Sequence, residues 1–338
     1  MKRPPEKKQT DRLTEPRQDP DSPPFVSVVV PTIGRDRLLI KTVEGLLASD
    51  YPDFEIVVVD QTPKPTGEVG RFMARYKERV RYIRKERPGL PGARNVGVLA
   101  ARGQVILFVD DDVIPERRLI SAHARAYRDK GDTKIGGVAG RVLGPDGAPE
   151  NIERNPARIA KIGLAGLCIF DHFDSDVRTE AHHVRGCNMS FLRRVILEAG
   201  GFDVRFGGSA HLEETDLALR VRKRGYRLLF MPDAALVHLL EPAGGCRPRD
   251  AREWFFWYGH NVCLFYLKNF PKAAFPLSCL TFAARLPYWA VKNRRAQIPW
   301  WAAEGFLLGI GAYRKPPGDT SPPASHGKAS GRRQRGAS

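Results

Sequence analysis

Three stretches limit the folds open to this chain: FVSVVVPTIGR (Phe25–Arg35), FEIVVVDQTP (Phe54–Pro63) and ILFVDDDVIP (Ile106–Pro115). Each begins as an apolar, largely β-branched run and ends in turn or acidic residues. A strand with one wet face alternates polar and apolar positions. Strands that are apolar throughout are covered on both faces, as in parallel sheets. The segments between them carry helical periodicity. RDRLLIKTVEGLLAS spaces Leu38, Leu39, Thr42, Val43, Leu46 and Leu47 for one helix face, and a further helix is expected around Val69 to Lys77. A short strand, RVRYIRK, follows, then GLPGARNVGVLAARG, a helix with a glycine-rich start and Gly103 as its stop. Such alternation predicts an α/β fold, a mostly parallel sheet covered by helices. Ligands in open sheets of this kind bind beyond the carboxyl ends of the strands, where Thr32, Asp60 and Asp110–Asp112 stand.

The three consecutive aspartates need a partner. Neighbouring carboxylates repel, and burying ionised ones is costly unless they are paired or bind metal. An extended backbone sends Asp110 and Asp112 to one side and Asp111 to the other. A hard, oxygen-rich cluster suits Mg2+ or Mn2+, with substrate phosphates as further ligands; an exposed acidic turn is the alternative. A second acidic cluster, EETD (Glu213–Asp216), opens a predicted helix. Acids in a first helical turn favour the helix dipole; a carboxylate there could equally serve as a general base. GLPGARN (Gly89–Asn95) sets backbone N–H groups and Arg94 at a helix start, an anion site by geometry, though it is neither a Walker A loop nor G-x-G-x-x-G. His238 ends a strand and could ligate metal, contact phosphate or be structural. From Gly136 to Leu240 the pattern is mixed: HVRGCNMSFLRRVILEAGGFD reads as strand then helix. After EETD the chain reads as helix, a stop at Gly225, then two short strands.

Charge is uneven. The 338 residues carry a net charge of +17; Arg247 to Lys315 holds 11 Lys/Arg against 3 Asp/Glu, and Pro316 to Ser338 holds 4 against 1, so 11 of the 17 excess charges lie in the last quarter. That asymmetry predicts a polyanionic partner. The same region carries apolar, Trp-rich blocks, WFFWYGHNVCLFYL, AAFPLSCLTFAA and QIPWWAAEGFLLGIGAY. None gives the roughly 18–20 uninterrupted apolar residues of a spanning helix. Apolar blocks separated by Lys/Arg suit peripheral contact with an anionic membrane through residues 247–315; a helical unit packed on the core is the alternative. No nucleic-acid partner is expected, because the aromatics cluster in apolar blocks instead of interleaving with the basic residues. Five cysteines form no C-x-x-C pair and read as reduced core residues. The N-terminal 24 residues are polar and Pro-rich without a signal-peptide apolar region, and read, with residues 314–338, as disordered tails. The expected division is a tail (1–24), an α/β domain (25–240), a basic aromatic helical extension (241–313) and a basic tail (314–338).

Taken in order, VSVVVPTIGR, FEIVVVDQTP, GLPGARNVGVLAARGQVILFVDDDVIP, RGCNMSFLRRVILEAGGFDVRF and LEETDLALRVRKRGYRLLFMPDAALVHLL resemble the family 2 glycosyltransferases, which have the GT-A fold. The resemblance implies a metal-dependent inverting transfer from a nucleotide-diphosphate sugar to an acceptor hydroxyl, and the basic, aromatic C-terminal block fits a lipid-linked or cell-envelope acceptor. The resemblance also implies that Pro31, Thr32 and Asp60 hold the base and ribose, that Arg94 reaches the nucleotide, and that Asp110 and Asp111 contact ribose and sugar. Asp112 would ligate Mg2+ or Mn2+, with His238 near the diphosphate as a further candidate ligand. Glu213–Glu214 fall on the family's acidic pair, whose second member is the base; Glu214 stands where Asp is commoner, which leaves Glu213 and Asp216 as competitors. The Q-x-x-R-W motif of processive synthases is absent after the pair, so single addition is expected. The basic, aromatic C-terminus would hold a cytoplasmic enzyme on the inner membrane face. The competing readings are a nucleotidyltransferase and a non-catalytic nucleotide-sugar-binding scaffold.

Overall fold

The computed structural model describes residues 23–128, 134–149, 152–163, 168–248 and 250–316. The expected tails therefore lie almost wholly outside the described residues. The chain runs β1 (Val26–Thr32), α1 (Asp36–Leu47), β2 (Phe54–Asp60), α2 (Gly67–Arg75), β3 (Val80–Arg84), α3 (Leu90–Ala100), β4 (Val105–Val109), β5 (Val113–Pro115), α4 (Leu119–Ala126) and β6 (Ile135–Leu143). It continues through β7 (Lys161–Gly163), β8 (Cys168–Phe170), β9 (Thr179–Ala181), β10 (Asn188–Leu192), α5 (Arg193–Glu198), α6 (Glu213–Lys223) and β11 (Arg227–His238). Three helices follow, α7 (Ala251–Asn269), α8 (Phe275–Lys292) and α9 (Ile298–Arg314).

Nine strands form one sheet in the order β3-β2-β1-β4-β10-β6-β11-β5, with β9 also paired to β11. The first four are parallel, as the apolar runs of β1, β2 and β4 predict, and every residue of those three is buried; β3, at the sheet edge, is only partly so. The sheet is mixed beyond them: β10 runs antiparallel to both β4 and β6. Helix α1 buries Leu39, Thr42, Val43 and Leu46, the face its periodicity predicts. Two local expectations change. Helix α3 ends at Ala100, so Gly103 is not its stop; a Cβ there would stand 2.5 Å from the Ser27 backbone nitrogen, and glycine lets the chain enter β4 beside β1. The two short strands after Gly225 are one strand, β11, whose register against β6 shifts between Met231 and Ala235, around Pro232, which cannot donate a ladder hydrogen bond.

Helices α7–α9 pack on the α/β unit through a second apolar cluster that includes Phe206, Leu212 and Leu219. Asp216 on α6 accepts from Lys268 Nζ (2.9 Å) and Asn269 Nδ2 (2.8 Å), which pins the end of α7. α7 and α9 meet backbone to backbone: a Cβ on Gly305 would stand 1.8 Å from the Phe256 carbonyl oxygen. No helix among the described residues is long and apolar enough to cross a membrane.

Candidate functional site

The aspartate triplet sits in the turn leaving β4 at the sheet's carboxyl edge. Asp111 faces β1 and accepts from Thr32 Oγ1 (2.6 Å) and Arg35 Nη1 (2.9 Å). Burial nonetheless raises its pKa to about 6, outweighing both partners. Asp112 turns the other way, as alternation predicts. Its Oδ2 accepts from the Glu241 N–H (3.0 Å) and lies 3.0 Å from Arg35 Nη1; its Oδ1 lies 3.2 Å from His238 Nε2. Burial would raise the Asp112 pKa, but His238 and then Arg35 overcome it and hold it below the ordinary value. Asp110 is partly exposed, 3.9 Å from His238 Nε2 and 3.5 Å from Arg94 Nη2.

Asp110, Asp112 and His238 each point one ligand atom into a common space, all within 4.8 Å of one another. Asp112 Oδ1 and His238 Nδ1 are buried without a hydrogen bond; the 3.2 Å contact of Asp112 Oδ1 with His238 Nε2 is an ion pair. Burial alone would lower the His238 pKa, yet Asp112, Cys187 and Asp110 lift it to about 10. The imidazolium thus stands where the carboxylates need a cation. Two carboxylates and one imidazole fit a divalent ion that keeps waters or takes phosphate oxygens, and binding it would release the proton, since a ligating imidazole is neutral.

Next to this cluster is a small pocket of about 50 Å³ lined by Pro31, Thr32, Arg35, Gln61, Asp110 and Asp111, among others. Arg35 spans it: Nε donates to the Ala243 carbonyl (2.8 Å) and Nη2 to that of Glu241 (2.8 Å). The chain after β11 is thereby drawn across the strand ends, with Gly245 donating to Ile33 (2.8 Å). Asp60 lies buried at the end of β2. Its Oδ1 accepts from the Thr62 N–H (2.7 Å) and its Oδ2 from Arg84 (2.8 Å) and the Tyr82 hydroxyl. Its carboxylate therefore shapes the loop after β2 from within.

The acidic cluster divides three ways. Glu213 is buried against Arg94, which also donates to the Gly186 carbonyl (3.0 Å) and so ties α3, α6 and the triplet together. Arg94 is 2% exposed, an internal strut. Asp216 faces the packing interface with α7 and also accepts from Arg220 Nε (2.9 Å). Glu214 alone lines a cleft of about 390 Å³, with His211, Arg185, Tyr258, Phe265 and Arg285 among its walls. Burial raises the Glu214 pKa, opposed chiefly by Arg94. Ala210 (φ 54°) and Leu212 (φ 72°) precede it in the left-handed region, a costly backbone for non-glycine residues that sets the start of α6.

A second cleft of about 420 Å³ contains His238 and Leu240 and shares Ile169, Asp171, Phe173 and Arg185 with the first. The two adjoin along these shared residues, and the groove they make runs from His238, at the edge of the Asp110/Asp112/His238 cluster, to Glu214. Among the residues around it, Asp171 and Arg285 lie outside the motifs of the sequence; only the fold brings them there.

A family model described as Glycosyl transferase family 2 matches residues 27–200, just over half of the chain. A glucosyl-dolichyl phosphate glucuronosyltransferase of Haloferax volcanii is 28% identical over 253 residues, 70% of this chain and 75% of that one. An uncharacterized glycosyltransferase, EpsJ of Bacillus subtilis, is 39% identical over 90 residues, 26% of each chain. Among solved structures, a mannosyltransferase of Pyrobaculum calidifontis in complex with GDP-Man and Mn2+ aligns over 87% of both chains with a TM-score of 0.51 at 18% identity. TarS of S. aureus aligns over 85% of this chain and 79% of its own with a TM-score of 0.55 at 14% identity, a likeness of fold.

Proposed function

The chain belongs to glycosyl transferase family 2, and on that premise we propose that it moves one sugar at a time from a nucleotide-diphosphate sugar to an acceptor hydroxyl, with inversion. The observation that carries this reading is the groove joining Glu214 to the Asp110/Asp112/His238 cluster. Asp110, Asp112 and His238 would hold the divalent ion, which supplies Lewis-acid neutralisation of the departing diphosphate. The imidazole in the set favours Mn2+ over Mg2+, which prefers oxygen ligands at near-ideal octahedral geometry. Pro31, Thr32, Asp60 and Asp111 would shape the nucleotide side. Arg35 would hand its carbonyl contacts to the donor or move with the segment after β11 when the donor enters. Glu214 takes the proton from the acceptor hydroxyl, which attacks the anomeric carbon on the face opposite the diphosphate. Its raised pKa suits a base that must hold that proton briefly. Glu213 and Arg94 position Glu214 through the start of α6.

Residues 25–240 would form the catalytic unit and 241–313 an extension that works at the cytoplasmic face of a membrane. A lipid-linked acceptor is supported by the Haloferax relative, whose name gives a dolichyl phosphate substrate, and by the tyrosines and phenylalanine of α7 that wall the Glu214 cleft. The test is Glu214→Gln assayed for donor binding and for transfer. Donor affinity is expected to stay near that of the unmodified protein while kcat falls about 10²–10⁴-fold, the usual contribution of a general base. Near-normal turnover would remove Glu214 from the role.

A further inference from the structure

Helix α8 is apolar on its outward face as well as on its inward one. Its inward residues Ser278, Phe282 and Leu286 are buried, while Leu277 (49%), Leu280 (66%), Tyr288 (59%) and Val291 (79%) are exposed, as are Ala284 and Pro287. At 100° per residue these positions fall on one stripe along the whole helix. No polar residue interrupts it. Single exposed apolar side chains need no explanation, but a continuous stripe of them does.

The charge around the stripe is of one sign. From Pro271 to Gln297 the chain has five Lys/Arg and no Asp/Glu. Lys292 lies over the rings of Tyr288 and Trp289, 5.7 Å and 5.6 Å from their centroids, so a cation is held where the stripe ends. Arg294 and Arg295 follow in the exposed turn to α9, which itself leaves Trp300, Leu307 and Leu308 more than half exposed. A second protein copy would have to meet this uniformly cationic border with its own, whereas an anionic lipid surface is complementary to both parts.

We propose that the outward face of α8 is a docking surface for an anionic lipid bilayer, with Leu277, Leu280, Tyr288 and Val291 entering the headgroup region and Lys292, Arg294 and Arg295 meeting lipid phosphates. Arg285 lies about 100° round the same helix from Ala284, where it lines the Glu214 cleft. Docking through α8 therefore brings the cleft to headgroup level, where a lipid-linked acceptor could enter without leaving the membrane. Only that consequence rests on the transferase reading; the docking does not.

The test is sedimentation of the full chain with phosphatidylcholine vesicles, with and without phosphatidylglycerol, in the absence of donor and acceptor. The protein is expected to sediment with the anionic vesicles, and Leu280→Glu/Val291→Glu to weaken binding at least about tenfold, the factor expected from withdrawing one Leu-sized side chain from an apolar phase. Lys292→Gln/Arg294→Gln/Arg295→Gln should lose mainly the dependence on phosphatidylglycerol. These positions are exposed, so thermal melting and donor hydrolysis should stay as in the unmodified protein, which separates loss of docking from loss of the enzyme. The proposal is overturned if the full chain ignores anionic vesicles or if the Leu280/Val291 variant binds them equally well. It is also overturned if light scattering finds a dimer that this variant dissolves, since a second copy would then cover the face.

Discussion

Replacing Arg94 with methionine takes the cation from between buried Glu213 and partly exposed Asp110. Arg94 is 2% and Glu213 1% exposed at the side chain, and neither Glu213 oxygen has a hydrogen bond to compensate the loss. A buried ion pair broken on one side leaves an uncompensated charge, at a cost of about 3–5 kcal/mol. That is a large part of the roughly 5–15 kcal/mol by which a typical domain is stable. Glu213→Leu should cost less, because Arg94 retains Asp110 at 3.5 Å and the Gly186 carbonyl at 3.0 Å. The double variant Arg94→Met/Glu213→Leu replaces the pair with apolar groups and should recover most of the stability lost by Arg94→Met. Urea unfolding followed by circular dichroism gives all three values and the coupling between the sites. A cost below about 1 kcal/mol for Arg94→Met, or a double variant no better than the sum of the singles, would refute a strut between α3 and α6.

Two more expectations concern pH and packing. Burial raises the Glu214 pKa above its ordinary 4.5; a base works only when ionised, so kcat should rise with pH through a midpoint above that value and level off. A flat profile, or the same limb in Glu214→Gln, would contradict the assignment. Gly305→Ala sets a Cβ against the Phe256 carbonyl and should destabilise the protein by about 1–3 kcal/mol as overpacking, read by urea unfolding; an unchanged midpoint would mean that α7 and α9 are free to separate.

The sheet was legible because burial on both faces writes itself into sequence: β4 is apolar at every position, and β1 and β2 depart from that only at Ser27 and Glu55, which bond each other, and at the site-forming ends Thr32 and Asp60. β10 was harder, because NMSFL does not disclose that it runs antiparallel between two other strands. The triplet and the acidic pair were visible as charge where charge is costly. Alternation gives the facing of the triplet, but nothing local tells which acid of the helical cluster faces which way. Asp216 finds its partners 52 and 53 residues later on α7, and Glu213 finds Arg94 far earlier in the chain. Only with those two partners in place is Glu214 singled out as the member open to the groove. Arg35 was unremarkable in sequence for the same reason: its carboxylates and its carbonyl acceptors come from the β4 end and from the segment after β11. Asp171 sits in a segment with no pattern of its own and Arg285 just beyond an apolar block that gives no hint of a site, so their place in the groove is a product of the tertiary fold.

If Asp110, Asp112 and His238 hold a divalent ion, nucleotide-sugar binding depends on that ion. Thermal shift of the full chain against a panel of nucleotide sugars, with and without Mn2+ and repeated on Asp112→Ala, tests that dependence most directly. One donor is expected to raise the melting temperature only when Mn2+ is present, and Asp112→Ala to abolish the shift. A donor shift that is the same without metal, or is retained in Asp112→Ala, would contradict the dependence.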